Sequence, residues 1–346
     1  MHFKACKHIF HSINLVPKGL LFCCRESRDI VPEMKINSIL DIDYFAEFKN
    51  NKIKKMQQGI FDECINCKHL CDNEWPDDDK IKRVFINNFR KCNCRCYYCK
   101  VYNTGESEYD ALSIIKRLEH NNLISEKIDH VAFGGGEVSI NKKIELAILH
   151  FIKNNIQMTV HTNAIIFSET IACLLDAGGT VAISPDSGSR QTYFKIKGVD
   201  KFDDVRCNIL RYAKHGKVRL KYIINEFNCK KNDLDGYTGI IKQSKNIIPY
   251  ISFTSEACKH GDYPAYQLKF VCNMIDEFEE NAIKWNYFSP FVWPDTVSTI
   301  NGYKNTVHQT MKAPLNYSRC ATKLPRQKDV SGAKFALPIT EIRNER

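Results

Sequence analysis

Short apolar segments alternate with segments of helical periodicity from residue 82 to residue 286. The apolar segments are rich in β-branched and aromatic residues, which is typical of β-strands. The predicted strands cover residues 82–89, 127–137, 157–163, 180–186, 217–226 and 249–256. The helical segments that follow them cover residues 109–121, 141–155, 168–178, 203–216, 233–244 and 265–286. This alternation predicts an α/β fold of parallel strands that either closes partly into a barrel or stays open.

Polar or cysteine-rich segments stand at the carboxyl ends of the first five predicted strands. They are RKCNCRCYYCK (90–100), GGGE (134–137), HTN (161–163), SPDSGS (184–189) and INE (224–226). Because the carboxyl ends of parallel strands meet on one rim, we expect these segments to lie together. Catalytic loops of α/β barrels and open sheets occupy that rim. The pattern therefore predicts an active site there.

Composition narrows the class of protein. No apolar run approaches the length of about 20 residues that a membrane-spanning helix needs, and the amino terminus does not have the pattern of a signal peptide. We therefore expect a cytoplasmic protein, in which the 16 cysteines serve metal or redox chemistry rather than disulfides. The net charge of +10 is spread along the chain. Without a basic stripe interleaved with aromatic residues, nucleic acid is not the expected partner.

Four cysteines fall within eight residues in the segment CNCRCYYC. Cys92, Cys96 and Cys99 have the spacing C-x3-C-x2-C, which leaves Cys94 as an extra thiol. Structural zinc sites prefer four ligands in paired knuckles, and no second knuckle or histidine pair stands at the usual distance. An iron–sulfur cluster with one iron lacking a protein ligand is the better interpretation.

The same segment resembles the signature C-N-x-x-C-x-aromatic-C of radical S-adenosylmethionine (radical SAM) enzymes. Cys92, Asn93, Cys96, Tyr98 and Cys99 match it, and GGGE follows at the next strand end. The resemblance extends from Lys82 to Glu256. It implies a partial (β/α)6 TIM-like barrel and an enzyme that uses a reduced 4Fe–4S cluster to cleave S-adenosylmethionine. The resulting 5′-deoxyadenosyl radical would abstract a substrate hydrogen, with electrons from a reductase such as flavodoxin or ferredoxin.

The resemblance also assigns roles to residues on the rim. Gly135, Gly136 and Glu137 correspond to the segment that binds the methionine amino group. Ser184 and Asp186 correspond to the segment that contacts the ribose or the carboxylate, and Asn163 lies beside them. Ile223, Ile224 and Tyr98 are expected near adenine. A cation after the fourth strand would pair with the carboxylate, with Lys197 as the choice and Arg190 and Lys195 as alternatives.

The amino-terminal region contains six further cysteines. C-x12-G-x4-C (Cys6, Gly19, Cys24) and the run Cys64, Cys67, Cys71 resemble the SPASM or shorter twitch module, which binds auxiliary clusters. Here the region precedes the barrel and is shortened, whereas the module usually follows it. We predict one auxiliary 4Fe–4S cluster on Cys6, Cys24, Cys64 and Cys67. Cys23 and Cys71 are competing ligands, and zinc is the alternative metal.

The chain is thus divided into a cysteine-rich module (1–75), a radical SAM core (76–260) and a helical and irregular extension (261–346). Cys258, just past the sixth strand, is a candidate hydrogen donor, against the simpler interpretation of a loop cysteine. The substrate is expected to be a peptide or a sugar or nucleotide-sugar intermediate. The alternative function is an RNA-modifying radical SAM enzyme or an RNA-binding metalloprotein.

Overall fold

A computed structural model describes residues 4–17, 19–21, 41–61, 70–72, 78, 80–99, 109–254, 257, 263–288 and 294–312. Residues 1–305 form one compact unit and residues 306–346 a second. The second unit contributes only the end of the last helix to the described residues, so the fold below is that of the first. None of the described helices is long and apolar enough to cross a membrane.

The described strands are β1 (Lys4–Ala5), β2 (Ser12–Val16), β3 (Gly19–Leu21), β4 (Cys71–Asp72), β5 (Arg83–Ile86), β6 (His130–Phe133), β7 (Met158–Thr162), β8 (Thr180–Ile183), β9 (Lys217–Ile224), β10 (Ile247–Phe253) and β11 (Asn286–Tyr287). Nine of them form one sheet, in the order β11-β10-β9-β8-β7-β6-β5-β2-β3, and β1 and β4 form a separate pair. Within the nine-stranded sheet the β2–β3 hairpin is antiparallel and all other neighbouring pairs are parallel. The predicted α/β fold of parallel strands is confirmed.

Helices connect the strands and cover one face of the sheet. The described helices are α1 (Lys7–His11), α2 (Asp41–Gln57), α3 (Ala111–His120), α4 (Lys142–Lys153), α5 (Glu169–Asp176), α6 (Arg190–Lys197), α7 (Phe202–His215), α8 (Lys231–Ile241), α9 (Ala265–Glu280) and α10 (Pro294–Lys312). Side chains cap several amino termini: Asp110, Asn141 and Ser168 accept hydrogen bonds from the backbone N–H groups three residues later. Such caps satisfy N–H groups that have no partner within the helix, and they explain where these helices begin.

The sheet is strongly curved. Strands β7 and β11 are four steps apart, so in a flat sheet they would be separated by about 19 Å. The ring centroids of His161 after the middle of β7 and of Phe288 just past β11 are nevertheless 5.9 Å apart. The sheet therefore curls into the predicted partial barrel, with the helices on its convex side.

The two faces of the sheet differ in polarity. On the helix-covered face, Val84, Phe133, Val160, Ile183 and Leu220 are fully buried. The alternate positions of β5 and β6 are only half-buried, so water reaches the concave side. The core thus lies between sheet and helices rather than inside the barrel.

Several described elements were not predicted from the sequence. Among them, helix α6 lies between β8 and α7, and strands β2 and β3 extend the sheet beyond β5. The Tyr109 hydroxyl donates to the carbonyl oxygens of Val16 (2.6 Å) and Gly19 (3.1 Å) and so holds the β2–β3 hairpin near the start of α3. Strands β2 and β3, which fall within the predicted module 1–75, are part of the main sheet. The predicted domain boundaries remain a prediction.

The helix-covered face should supply most of the stability. On α4, Ile148 is fully buried and Leu146 is 57% exposed. Replacing Ile148 by alanine should lower the free energy of unfolding by about 2–5 kcal/mol, because it removes buried methyl groups and leaves a cavity. Leu146→Ala should change it by less than about 0.5 kcal/mol. Urea unfolding of both variants measures the difference, and equal losses would contradict the assignment of the buried face.

Candidate functional site

The cysteine segment follows β5. Backbone hydrogen bonds hold it to two neighbouring segments of the chain. Gly136 N donates to Phe89 O and Glu137 N to Lys91 O, each at 2.8 Å. Farther along, Arg95 N donates to Lys197 O (2.8 Å) and Tyr97 N to Ile196 O (3.1 Å). The segment is therefore held between the GGGE turn and the carboxyl end of α6.

The thiols of Cys92, Cys96 and Cys99 are half-buried, whereas Cys94 between them is buried. A hydrogen bond from Cys94 lowers the pKa of Cys96 to about 6 against the opposing effect of burial, and the Lys197 charge adds to the lowering. A hydrogen bond from Cys94 also lowers the pKa of Cys92. The hydrogen bonds that Cys94 makes with Cys92 and Cys96 raise the pKa of Cys94 itself. The thiolate is the form of cysteine that binds metal, so the lowered pKa values of Cys92 and Cys96 are compatible with the predicted ligand role.

The donor set fits a cluster better than a single ion. Among the residues that the structure describes, no three His, Cys, Asp or Glu side chains converge closely enough to hold one metal ion. A mononuclear zinc site requires such convergence. In a 4Fe–4S cluster each thiolate binds a different iron, so the three cysteines need only surround a shared volume. Soft thiolate ligands also match iron–sulfur chemistry.

The glycines of the GGGE turn make room for the cysteine segment. A Cβ atom at Gly136 would lie 2.3 Å from Lys91 O, and one at Gly135, whose φ is +111°, would lie 2.6 Å from Phe89 O. Only glycine avoids both the clash and the strain of positive φ. The sequence analysis placed these glycines in the segment that corresponds to the binding site of the methionine amino group. The contact that the structure reveals is with the chain's own backbone.

Glu137 joins the ends of β6 and β7. Its Oε1 accepts hydrogen bonds from Ser139 N (3.1 Å), Ser139 Oγ (2.7 Å) and Thr162 Oγ1 (2.5 Å), and its Oε2 accepts one from Asn163 N (2.7 Å). The carboxyl group is buried, and burial raises its pKa although these hydrogen bonds act in the opposite direction. Thr162, which the sequence analysis did not select, is thus part of the site's framework.

Asn163 reaches from the end of β7 to the cysteine segment. Its Nδ2 donates to Asn93 Oδ1 at 2.6 Å and lies 3.7 Å from Cys92 Sγ. Its Oδ1 accepts from Ile165 N at 3.0 Å, which fixes the orientation of the amide. A donor directed at a ligand sulfur orients that ligand and influences the potential of a bound cluster.

Asp186, Lys197 and Tyr98 form a buried polar group behind the cysteines. Asp186 Oδ2 lies 2.5 Å from Lys197 Nζ and also accepts from the Tyr98 hydroxyl, and Lys197 Nζ lies 2.9 Å from that hydroxyl. Asp186 Oδ1 accepts from Ile223 N at 2.8 Å. Burial disfavours the Lys197 ammonium, but Asp186 and Cys96 together raise its pKa well above the usual value. Asp186 has a φ of +56°, and this strained backbone turns its carboxylate toward β9.

The remaining predicted residues differ in where they lie. Ser184 is half-buried just past β8, and Ile223 lies on the concave face, whereas Ile224 is buried on the helix-covered face. Arg190 pairs with Asp200 at the surface, and the Lys195 ammonium lies 4.1 Å from the centre of the Phe227 ring. Of the three cations considered, only Lys197 lies among the rim residues, and there Asp186 already balances its charge. Cys258 lies outside the described residues.

Only part of the amino-terminal cysteine set is described. Cys6 is buried, and Cys71 belongs to β4, whose antiparallel ladder with β1 pairs Ala5 with Cys71. The backbone therefore brings position 71 next to Cys6. Cys23, Cys24, Cys64 and Cys67 lie outside the described residues, so the auxiliary site remains a prediction.

Comparison with known proteins agrees with the geometry. Residues 86–225 match the Radical SAM superfamily. GTP 3′,8-cyclase from Pasteurella multocida (strain Pm70) is 28% identical over 137 residues, which are 38% of this chain and 40% of that protein. The match therefore spans less than half the length of this curated relative.

Two crystal structures of SuiB from Streptococcus suis have the same fold. The complex with the precursor peptide SuiA gives a TM-score of 0.50 at 13% identity and covers 83% of this chain and 73% of SuiB. The complex with S-adenosylmethionine gives 0.50 at 14% identity and covers 80% and 71%. The fold and the rim define a partial barrel with three cysteines after its first core strand. The radical SAM match covers residues 86–225, which is less than half of the chain, and it includes these three cysteines.

Gly136→Ala tests the contact between the GGGE turn and the cysteine segment. The added methyl group must displace the backbone at residues 90–91, so we expect a several-fold loss of iron bound after anaerobic reconstitution. Gly239 in α8 has no atom within 4 Å of a Cβ position. Gly239→Ala should therefore bind iron like the wild type and be slightly more stable. Equal iron contents in the two variants would contradict the proposed contact.

Asp186→Asn should lower the free energy of unfolding by about 3–5 kcal/mol, because it leaves the Lys197 charge buried without a partner. The double variant with Lys197→Met should recover much of that loss. Asp200→Asn, which breaks the exposed pair with Arg190, should leave the melting temperature nearly unchanged. Thermal and urea unfolding of these variants measure the effect. A double variant no more stable than Asp186→Asn would show that the ion pair is not the cause.

Proposed function

We propose that this chain cleaves S-adenosylmethionine reductively and uses the product radical to abstract a hydrogen atom from a small-molecule or peptide substrate. The observation that carries the proposal is the set of three half-buried thiols, Cys92, Cys96 and Cys99, in a segment fastened to the rim on both sides. These residues would hold the cluster. When bound, a reduced 4Fe–4S cluster supplies the electron that breaks a carbon–sulfur bond of S-adenosylmethionine and yields a 5′-deoxyadenosyl radical.

The residues of the rim prepare the site for S-adenosylmethionine. Glu137 Oε2 accepts one hydrogen bond from the residues that the structure describes, so it retains capacity to accept from the methionine ammonium. Gly135, Gly136 and Ser184 line the same rim, and Asn163 orients Cys92. Asp186 and Lys197 anchor Tyr98 and β9 beside the proposed adenine position at residues 223–224.

An auxiliary cluster in the amino-terminal region is part of the proposal. Pairing of Ala5 with Cys71 supports a site that includes Cys6 and favours Cys71 as a ligand. A 4Fe–4S cluster takes four thiolates, so Cys71 would replace one of Cys24, Cys64 and Cys67, and Cys23 competes with Cys24. The auxiliary cluster would exchange electrons or bind substrate.

Two of the comparisons support substrate classes for this proposal. The name of the P. multocida relative specifies GTP, and the S. suis structure contains a precursor peptide. We keep a peptide and a sugar or nucleotide-sugar intermediate as substrates of the proposal, with flavodoxin or ferredoxin as the electron donor. Cys258 is the proposed hydrogen donor should the reaction be an epimerisation.

The proposal is tested by anaerobic reconstitution with iron and sulfide, followed by dithionite and S-adenosylmethionine. We expect 5′-deoxyadenosine from the wild type and none from Cys96→Ala. Cys207→Ala, an exposed thiol on α7, should behave like the wild type. About eight irons per chain would support two clusters, and about four would remove the auxiliary one. Iron-free protein that forms no 5′-deoxyadenosine would refute the function.

A further inference from the structure

The concave face of the sheet is basic rather than apolar. Parallel register places alternate residues of neighbouring strands on the same face, and Phe85, Ala132 and Thr159 are aligned in this way. The cations and histidines of this face on strands β5 to β10 are Arg83, His130, His161, Lys217, Arg219 and Lys221. No Asp or Glu stands at a strand position of the same face. Closed barrels usually fill this space with branched apolar side chains.

These side chains converge although they belong to different strands. The Lys221 ammonium lies 4.4 Å from the centre of the Phe288 ring, and the Arg219 guanidinium lies 5.7 Å from that of Tyr250. The rings of Tyr250 and Phe288 are 6.2 Å apart, and His161 meets Phe288 across the barrel. Cations and aromatic rings thus share one volume below the rim.

Two cations of this face, Arg83 and Arg219, form no salt bridge with a carboxylate of the described residues. Burial, then Arg219, then Arg83 lower the pKa of His130, so both guanidinium groups act on the same histidine. Side chains with like charges on one enclosed surface repel each other, and an anion would relieve that repulsion.

We propose that this basic face binds a phosphate or pyrophosphate group of a small-molecule substrate. The inference rests on the proposed function, because it assumes that the substrate enters the barrel from the rim. Arginine suits the task, since its planar fork donates two parallel hydrogen bonds to phosphate oxygens. Tyr250 and Phe288 hold Arg219 and Lys221 in place by cation–π contacts.

A phosphorylated small molecule fits this position better than an acidic peptide. On β9, Lys221 and Arg219 precede Ile223 by two and four residues, which is about 7 and 13 Å along the strand. An anionic group bound there would hold the rest of a small substrate toward the rim. The contact between His161 and Phe288 narrows the barrel at this depth, which favours a slender tetrahedral group over a polypeptide main chain.

Calorimetric titration with inorganic pyrophosphate tests the inference on the full chain. The protein carries its reconstituted cluster, S-adenosylmethionine is present at saturation, and the cluster absorbance is recorded before and after to exclude loss of iron. We expect saturable binding that weakens at least tenfold in Arg219→Gln and in Arg83→Gln. Arg206→Gln, an exposed arginine on α7, should bind like the wild type. Arg83→Gln provides the test if Arg219→Gln does not fold.

Three results would overturn the inference. The first is the absence of saturable pyrophosphate binding. The second is equal affinity of the Arg219, Arg83 and Arg206 variants. The third is Arg219-dependent binding of triglutamate that is tighter than that of pyrophosphate, which would indicate an acidic peptide instead. Because binding is measured without turnover, wild-type protein that binds pyrophosphate but forms no 5′-deoxyadenosine would refute the function, and the basic face would then stand as an anion site without that substrate.

Discussion

The site depends on the way in which one loop is held by its neighbours. The cysteine segment has little regular structure of its own, so its shape comes from backbone hydrogen bonds to the GGGE turn on one side and to the end of α6 on the other. Both contacts need a close approach of main chains, which is why Gly136 and Gly198 stand there: a Cβ at Gly198 would lie 3.0 Å from the Arg95 Cβ. A loop that is already ordered holds a ligand in place without a further loss of conformational entropy when the ligand binds.

Buried polar groups make the arrangement specific. Glu137 ties β6 to β7, and Asp186 ties the segment after β8 to Tyr98, Lys197 and β9. Each carboxylate satisfies donors from several elements, so moving one element would leave buried groups without partners. The rim is therefore a connected network in which the cysteine loop, the strand ends and α6 adopt one mutual position.

The two faces of the partial barrel have different roles: the convex face provides stability and the concave face is available for function. Its convex face and the helices form the apolar core, where Phe133, Phe151 and Tyr212 are fully buried. Its concave face is polar and basic and contributes little to such packing. A sheet that relies on one face for stability can present charged side chains on the other, and this freedom allows Arg219 and Lys221 to lie inside the barrel.

The class of fold could be predicted from the sequence alone and is confirmed, whereas the three cysteine ligands that the sequence suggests stay a prediction. Apolar residues that recur every two positions in a strand or every 3.6 positions in a helix indicate which face of the element is buried. The spacing of Cys92, Cys96 and Cys99 can likewise be read from one short segment of the sequence. Helix α6 and strands β2 and β3 escaped prediction because α6 has a weak apolar pattern and short strands depend on their neighbours for stability. The tertiary structure was needed to show that Lys197 pairs with Asp186 and that Thr162 donates a hydrogen bond to Glu137. It was also needed to show that Arg83 of β5 and Arg219 of β9 both lie near His130. Those contacts join residues far apart in the chain, and the curvature of the sheet, which no local pattern encodes, brings them together.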